Sequence, residues 1–230
     1  MSTLIVLAKA PVPGRVKTRL CPPFTPEEAA SLAAAALLDS LSIAAATAAD
    51  HRLLVLDGEP DLELRGAYLD RGFIRRPQVG GTLDMRLAAA FGAAARLDQG
   101  PALLIGMDTP QASSAVLDEA LHALTEDPAT GRRGRDAVFA PALDGGFWAL
   151  GLREPAHQRT ESLLLGVPMS TPETGAVQLR RLEDAGLDVL QLPTLRDVDT
   201  ADCAYAAAEL RPTTAFARRL AAIDSRTRSA

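Results

Sequence analysis

Short apolar runs and amphipathic stretches alternate along the chain. Runs of strand length occur at Leu4–Ala8, Arg52–Leu56, Ala102–Gly106, Ala137–Ala140, Phe147–Leu150 and Leu187–Leu190. Between most of them the apolar positions recur at helical spacing. Helices are expected over Leu62–Leu69, Leu83–Leu97, Val116–Leu124, Glu173–Ala185 and Ala201–Leu210. The first helix has the clearest start. Thr25 stands at the N-cap, Pro26 at the first helical position and Glu28 three residues beyond the cap, a capping box joined to an N-terminal proline. It is expected to run through Leu32, Leu37, Leu38 and Leu41 to about Ala49. Strands and helices alternating at this spacing predict an α/β domain with a mainly parallel sheet.

No internal repeat or linker divides the chain. With 230 residues, residues 1–211 are expected to form one domain. The segment Glu126–Arg135, rich in Gly, Arg and Asp, reads as a surface loop. Residues 212–230 read as a basic C-terminal helix and tail. It carries Arg218, Arg219, Arg226 and Arg228, starts as a helix over Thr214–Ile223 and then frays into solvent.

The net charge of −5 argues against general nucleic-acid binding. It also makes the local cluster Arg15, Lys17 and Arg19 stand out. Cys21 and Cys203 are far apart and lack metal-ligand spacing, so a reducing compartment is expected. No basic segment followed by a long apolar stretch opens the sequence, and a cytoplasmic protein is expected. The Ala-rich stretch Ser31–Ala49 has Asp39 at its centre and Ser and Thr around it, which argues against a membrane span.

Four constellations could carry chemistry. The first strand ends in a Pro/Gly-punctuated loop that places Lys9, Arg15, Lys17 and Arg19 within eleven residues. Cations and loop amides delivered by a strand are a common phosphate site. In an extended loop Arg15, Lys17 and Arg19 share one side, and Gly14 lets the backbone approach a ligand. A solvated basic turn is the alternative. The segment is not a Walker A loop, because Lys17-Thr18 lacks the preceding Gly. The second constellation is Leu103 to Pro110, where an apolar strand runs into Asp108. An Asp at a strand's carboxyl end can hold a hard cation such as Mg²⁺, or it can cap the helix that begins near Ser113 or Ser114.

In the third, Asp144-Gly145-Gly146 precedes a strand with the chain's single Trp, Trp148. The pattern fits a hairpin turn or a close backbone approach to a ligand. In the fourth, Asp197 and Asp199 alternate with Val198 and would point the same way. Asp199 could serve as a second metal carboxylate, or Asp199 or Thr200 could cap the helix from Ala201. His51, His122 and His157 sit in no motif, and no nucleophilic triad is visible.

In this order, the four constellations resemble a known family. They are similar to small bacterial proteins with a GT-A-type nucleotide-diphospho-sugar transferase fold, grouped as a domain of unknown function (DUF2064) and often labelled glycosyltransferase-like. That group is in turn similar to the guanylyltransferases of coenzyme F420 biosynthesis and to molybdenum-cofactor nucleotidyltransferases. The segments that carry the resemblance are AKAPVPGRVKTRL, GMDTP, DGGFWALGL and DVDT, and it spans about residues 3–210. It implies a three-layer α/β/α fold with a mixed, mainly parallel sheet. Gly14, Arg15, Lys17 and Arg19 would wrap nucleotide phosphates, with Lys9 beside them. Asp108 and Asp199 would hold Mg²⁺ or Mn²⁺. Gln78 and Arg86 would line the nucleotide side, and Asp144, Gly145 and Gly146 would face the acceptor. Three features depart from the family pattern: Asp84 stands where Gly is usual, a Trp near Met169 is absent, and Ala201-Asp202-Cys203-Ala204 replaces a Pro-Glu-Asp-Leu run.

Three functions follow as expectations. The first is a nucleotidyltransferase, in which a small phosphorylated or phosphonylated acceptor attacks an NTP and pyrophosphate leaves. The second is a glycosyltransferase using an NDP-sugar, with Asp144 as a base. The third is a nucleotide-binding module without catalysis. Three loop cations favour a triphosphate, while the intact Asp108 and Asp199 favour catalysis.

Overall fold

In the computed structural model the described residues are 1–125, 131, 133–156 and 159–227. His157, Arg228 and most of the Glu126–Arg135 loop lie outside them. Among the described residues seven strands form one sheet: β1 (Thr3–Lys9), β2 (His51–Asp57), β3 (Ile74–Pro77), β4 (Ala102–Ile105), β5 (Ala137–Pro141), β6 (Phe147–Leu152) and β7 (Val189–Gln191), in the order β3-β2-β1-β4-β6-β5-β7. All pairings are parallel except those of β6, which runs antiparallel between β4 and β5. The helices are α1 (Pro26–Ala45), α2 (Leu62–Leu69), α3 (Leu83–Leu97), α4 (Ser114–Leu124), α5 (Arg159–Leu164), α6 (Thr174–Asp184), α7 (Ala201–Leu210) and α8 (Ala215–Thr227).

The period of two along β1 sorts the core into two halves. Leu4, Val6 and Ala8 pack with Ala33, Leu37 and Leu41 of α1 and with Leu117 and Leu121 of α4. Ile5 points the other way, toward Leu87, Ala90 and Phe91 of α3 and Leu182 of α6. The result is the expected α/β/α arrangement. Strand β3 was not expected. It is an edge strand with Arg75 and Arg76 at its centre, and an edge tolerates such polarity.

The Thr25 cap forms as expected. The Thr25 hydroxyl accepts from the Glu28 N–H, and the Glu28 carboxylate accepts from the Thr25 N–H. Helix α1 is long and apolar enough to cross a membrane, but its small side chains are enclosed on two sides. One side meets the sheet. The other, with Ala29, Leu32 and Ala36, packs on Ala204 and Ala207 of α7 and on Phe216, Leu220 and Ile223 of α8. This corrects the reading of the C-terminus as a solvated tail. Phe216, Leu220 and Ile223 recur at helical spacing and are buried, while Arg219 donates to the Ser31 hydroxyl and Arg226 pairs with Glu28.

Candidate functional site

Strand order reverses between β1 and β4, and a crevice opens at the carboxyl ends of parallel strands at such a switch point. Here it is a cleft of about 890 Å³. The loop after β1 forms one wall. Val16 and Leu20 are buried and anchor it. Gly14, at φ +71°, supplies a left-handed turn and does not itself line the cleft. The loop is not extended, because Thr18–Leu20 forms a turn of 3-10 helix and Lys17 before it is left-handed, with φ 48° and ψ 38°. The three cations therefore diverge. Arg15 is exposed, Arg19 is 74% exposed, and the Lys17 side chain is turned inward and only 9% exposed.

Lys17 lies between the two expected metal carboxylates. Its Nζ is 2.7 Å from Asp108 Oδ1 and 3.1 Å from Asp199 Oδ1. Arg19 Nη1 holds the other Asp199 oxygen at 3.0 Å. Burial alone would depress the Lys17 ammonium, but the two carboxylates outweigh it and its pKa is raised. The helix caps fall to neighbours: Ser113 caps α4 and Thr200 caps α7, which leaves Asp108 and Asp199 to Lys17.

The acidic residues converge because segment 195–199 threads between the β5–β6 hairpin and the loop after β4. Leu143 N–H donates to Leu195 O, Val198 N–H donates to Asp108 O, and the Gln111 amide donates to Arg196 O. Val198 is buried, so Asp197 and Asp199 both face the cleft. Asp144, Asp197 and Asp199 each offer an oxygen, all within 4.8 Å of one another. Asp197 is absent from the ligand set implied by the resemblance; its alternation with Asp199 was the available signal. Burial, with the charges of Asp144 and Asp199, pushes its carboxyl up to about 6.

The Asp144-Gly145-Gly146 turn joins β5 to β6, and Asp144 Oδ1 accepts from the Gly146 N–H. Gly145, at φ +89°, has no room for a side chain, because a Cβ would lie 2.0 Å from Pro172 O. It packs against the start of α6 and does not line the cleft, whereas Asp144 and Gly146 do. On the opposite wall the Gln78 amide donates to Ala8 O and Val55 O, at the ends of β1 and β2. Arg86 is held by Asp57, Gln78 Oε1 and Gly81 O. Asp57 had not been expected in this neighbourhood. Asp84, where the family pattern has Gly, accepts from the Gly166 N–H and ties α3 to the turn after α5. Lys9, Arg15, Lys17, Arg19, Gln78, Arg86, Asp108, Asp144, Gly146 and Asp199 thus share one cleft.

The fold is that of the nucleotide-diphospho-sugar transferases. A protein from Desulfovibrio desulfuricans G20, provisionally named a nucleotide-diphospho-sugar transferase, superposes with a TM-score of 0.83 at 26% identity, over 99% of this chain and 97% of its own. At lower identity the fold is shared with CMP:2-keto-3-deoxy-manno-octonic acid synthetase in complex with CTP, with TM-score 0.53, 12% identity and coverage of 91% and 97%. It is also shared with 4-diphosphocytidyl-2C-methyl-D-erythritol synthase, with TM-score 0.54, 13% identity and coverage of 91% and 97%. Residues 40–171 match the profile of the family described as "Uncharacterized protein conserved in bacteria (DUF2064)", and the chain belongs to that family. A search of curated proteins finds no match.

Proposed function

We propose that the protein is a metal-dependent transferase that uses a nucleotide, and that it joins an NMP from an NTP to a small phosphorylated or phosphonylated acceptor, releasing pyrophosphate. The observation that carries this reading is the convergence of Lys17, Asp108, Asp144, Asp197 and Asp199 at the sheet's switch point. One protein that shares the fold is described in complex with CTP, which is consistent with it.

The donor set fits Mg²⁺ or Mn²⁺: carboxylate oxygens suit hard cations, and three acids this close repel one another without one. In the present arrangement Asp144, Asp197 and Asp199 would hold the ion, because their oxygens lie within 4.8 Å of one another, while Asp108 is outside that set and pairs with Lys17. When bound, such an ion neutralises phosphate charge and orients phosphate oxygens. The chain's own contribution is position and charge. Arg15 and Lys9, which have no ion-pair partner among the described residues, would face the nucleotide phosphates. Arg86, fixed by Asp57, would present a rigid donor on the nucleotide side.

One observation favours a second reading, a glycosyltransferase taking an NDP-sugar. Lys17 and Arg19 are both committed to Asp199, which weakens the count of three free cations for a triphosphate. Titration of nucleotides in the presence of Mg²⁺ tests the site under either reading. Asp108→Asn and Asp199→Asn are expected to weaken Mg²⁺-dependent nucleotide binding; if neither does, the site assignment is wrong.

A further inference from the structure

The buried cation of this site is a lysine in a chain that almost always uses arginine. Of its 24 Lys and Arg residues only Lys9 and Lys17 are Lys, and both line the cleft. An ammonium is a compact point charge on a flexible stem, whereas a guanidinium is a fixed planar fork. Lys17 also has a left-handed backbone, which a residue with a side chain keeps only where its surroundings hold it. Its carbonyl accepts from the Leu20 N–H in the 3-10 turn, and its side chain is held by the pair of carboxylates, Asp108 and Asp199.

Asp199 belongs to two arrangements at once. Its Oδ1 takes Lys17 and its Oδ2 takes Arg19, yet it is also part of the Asp144–Asp197–Asp199 oxygen set. A divalent cation among those oxygens would have the Lys17 ammonium as a close like-charged neighbour, and the two would repel. Lys17 and Arg19 already occupy the two oxygens of Asp199, so a divalent cation there must displace one of them.

We propose that Lys17 is an internal counter-ion that holds Asp108 and Asp199 in register until a divalent cation takes over Asp199, whereupon the ammonium is released into the cleft. Lys17 is thus a positioning residue for the acids and, once freed, a cation for the phosphates. Metal and Lys17 compete, while metal and nucleotide cooperate, because each ion bound frees a positive charge where phosphates lie. The inference rests on reading the cleft as a metal-dependent nucleotide site.

It is tested on the full chain with Mn²⁺ and no nucleotide, so that it can fail while the nucleotide reading stands, and the reverse. The first measurement is acylation of the wild-type lysines by an amine-reactive acetyl ester, read by peptide mass spectrometry. Lys17 is expected to react slowly without metal and several-fold faster with saturating Mn²⁺, with the exposed Lys9 as internal reference. The second is Mn²⁺ titration followed by electron paramagnetic resonance. Lys17→Met is expected to bind Mn²⁺ about tenfold more tightly than wild type. Unchanged Lys17 acylation under bound Mn²⁺, equal or weaker Mn²⁺ binding by Lys17→Met, or no Mn²⁺ binding by either protein would each overturn the proposal. If Lys17→Met does not fold, the wild-type acylation decides.

Discussion

The carboxylate of Asp39, in the middle of α1, accepts hydrogen bonds from the backbone N–H of Phe216 and from that of Ala215 before it, each at 2.8 Å. Those groups open α8 and would otherwise lack partners. The Thr214 hydroxyl takes the next, from Ala217. A side chain on one helix thus caps another, 177 residues away, between Asp39 and Phe216. Burial raises the pKa of the Asp39 carboxyl in spite of these hydrogen bonds.

Asp39→Ala is expected to lower the unfolding free energy by about 1–3 kcal/mol, the range for losing a helix cap and leaving buried donors unpaired. Asp39→Asn keeps an acceptor and should cost less. Urea unfolding of the three proteins checks the order.

The pH dependence of the apo protein should change with Asp197→Asn. The folded pKa of Asp197 is about 6, against an ordinary value of 3.8. Between these values the unfolded chain has already lost the proton that the folded chain keeps. This group therefore removes stability as pH rises from about 4 to about 6. With a chelator present, Asp197→Asn is expected to melt higher than wild type at pH 7.5 and at the same temperature at pH 3.5. A lower melting point at pH 7.5 would show that Asp197 supports the fold through a contact rather than straining it.

Gly145→Ala should be costly for two separate reasons, a φ of +89° and a Cβ 2.0 Å from the Pro172 carbonyl. The expected loss is about 2 kcal/mol or more, seen as a lower midpoint in denaturant. Gly14→Ala, also left-handed but with open space around its Cβ, should cost less.

Arg15→Ala is expected to lower kcat/KM, by less than the roughly 10²–10³ lost with a preorganised donor in a water-excluded site, because Arg15 is exposed. Its fold should be unaffected, because Arg15 is exposed and unpaired among the described residues. Steady-state kinetics together with a melting curve separate the two effects.

Five of the six strands expected from the sequence are mostly buried, and the sixth, expected over Leu187–Leu190, is the half-exposed edge strand β7 at Val189–Gln191. β1, β2, β4, β5 and β6 are near-continuous apolar runs, and the Thr25–Glu28 box marked the start of α1. β3 was invisible because Arg75 and Arg76 at a sheet edge carry no apolar period. The helix expected over Thr214–Ile223 is α8, but its packing was not legible, because the partner surface of Phe216, Leu220 and Ile223 lies on α1 and α7. Most of the cleft residues were legible as motifs; their pairing was not. Nothing local shows that the Lys17 side chain is turned inward, since Asp108 and Asp199 approach it only in the fold. The exclusion of a side chain at Gly145 likewise depends on Pro172, brought close by α6.

We propose that this cleft takes a nucleoside triphosphate with a divalent cation. The most direct test is thermal unfolding with Mg²⁺ or Mn²⁺ across all common NTPs and NDP-sugars, since a ligand of the native state raises its melting temperature. At least one NTP is expected to raise the melting temperature, only with the metal, and by more than every NDP-sugar. Stabilisation by an NDP-sugar and by no NTP would contradict it.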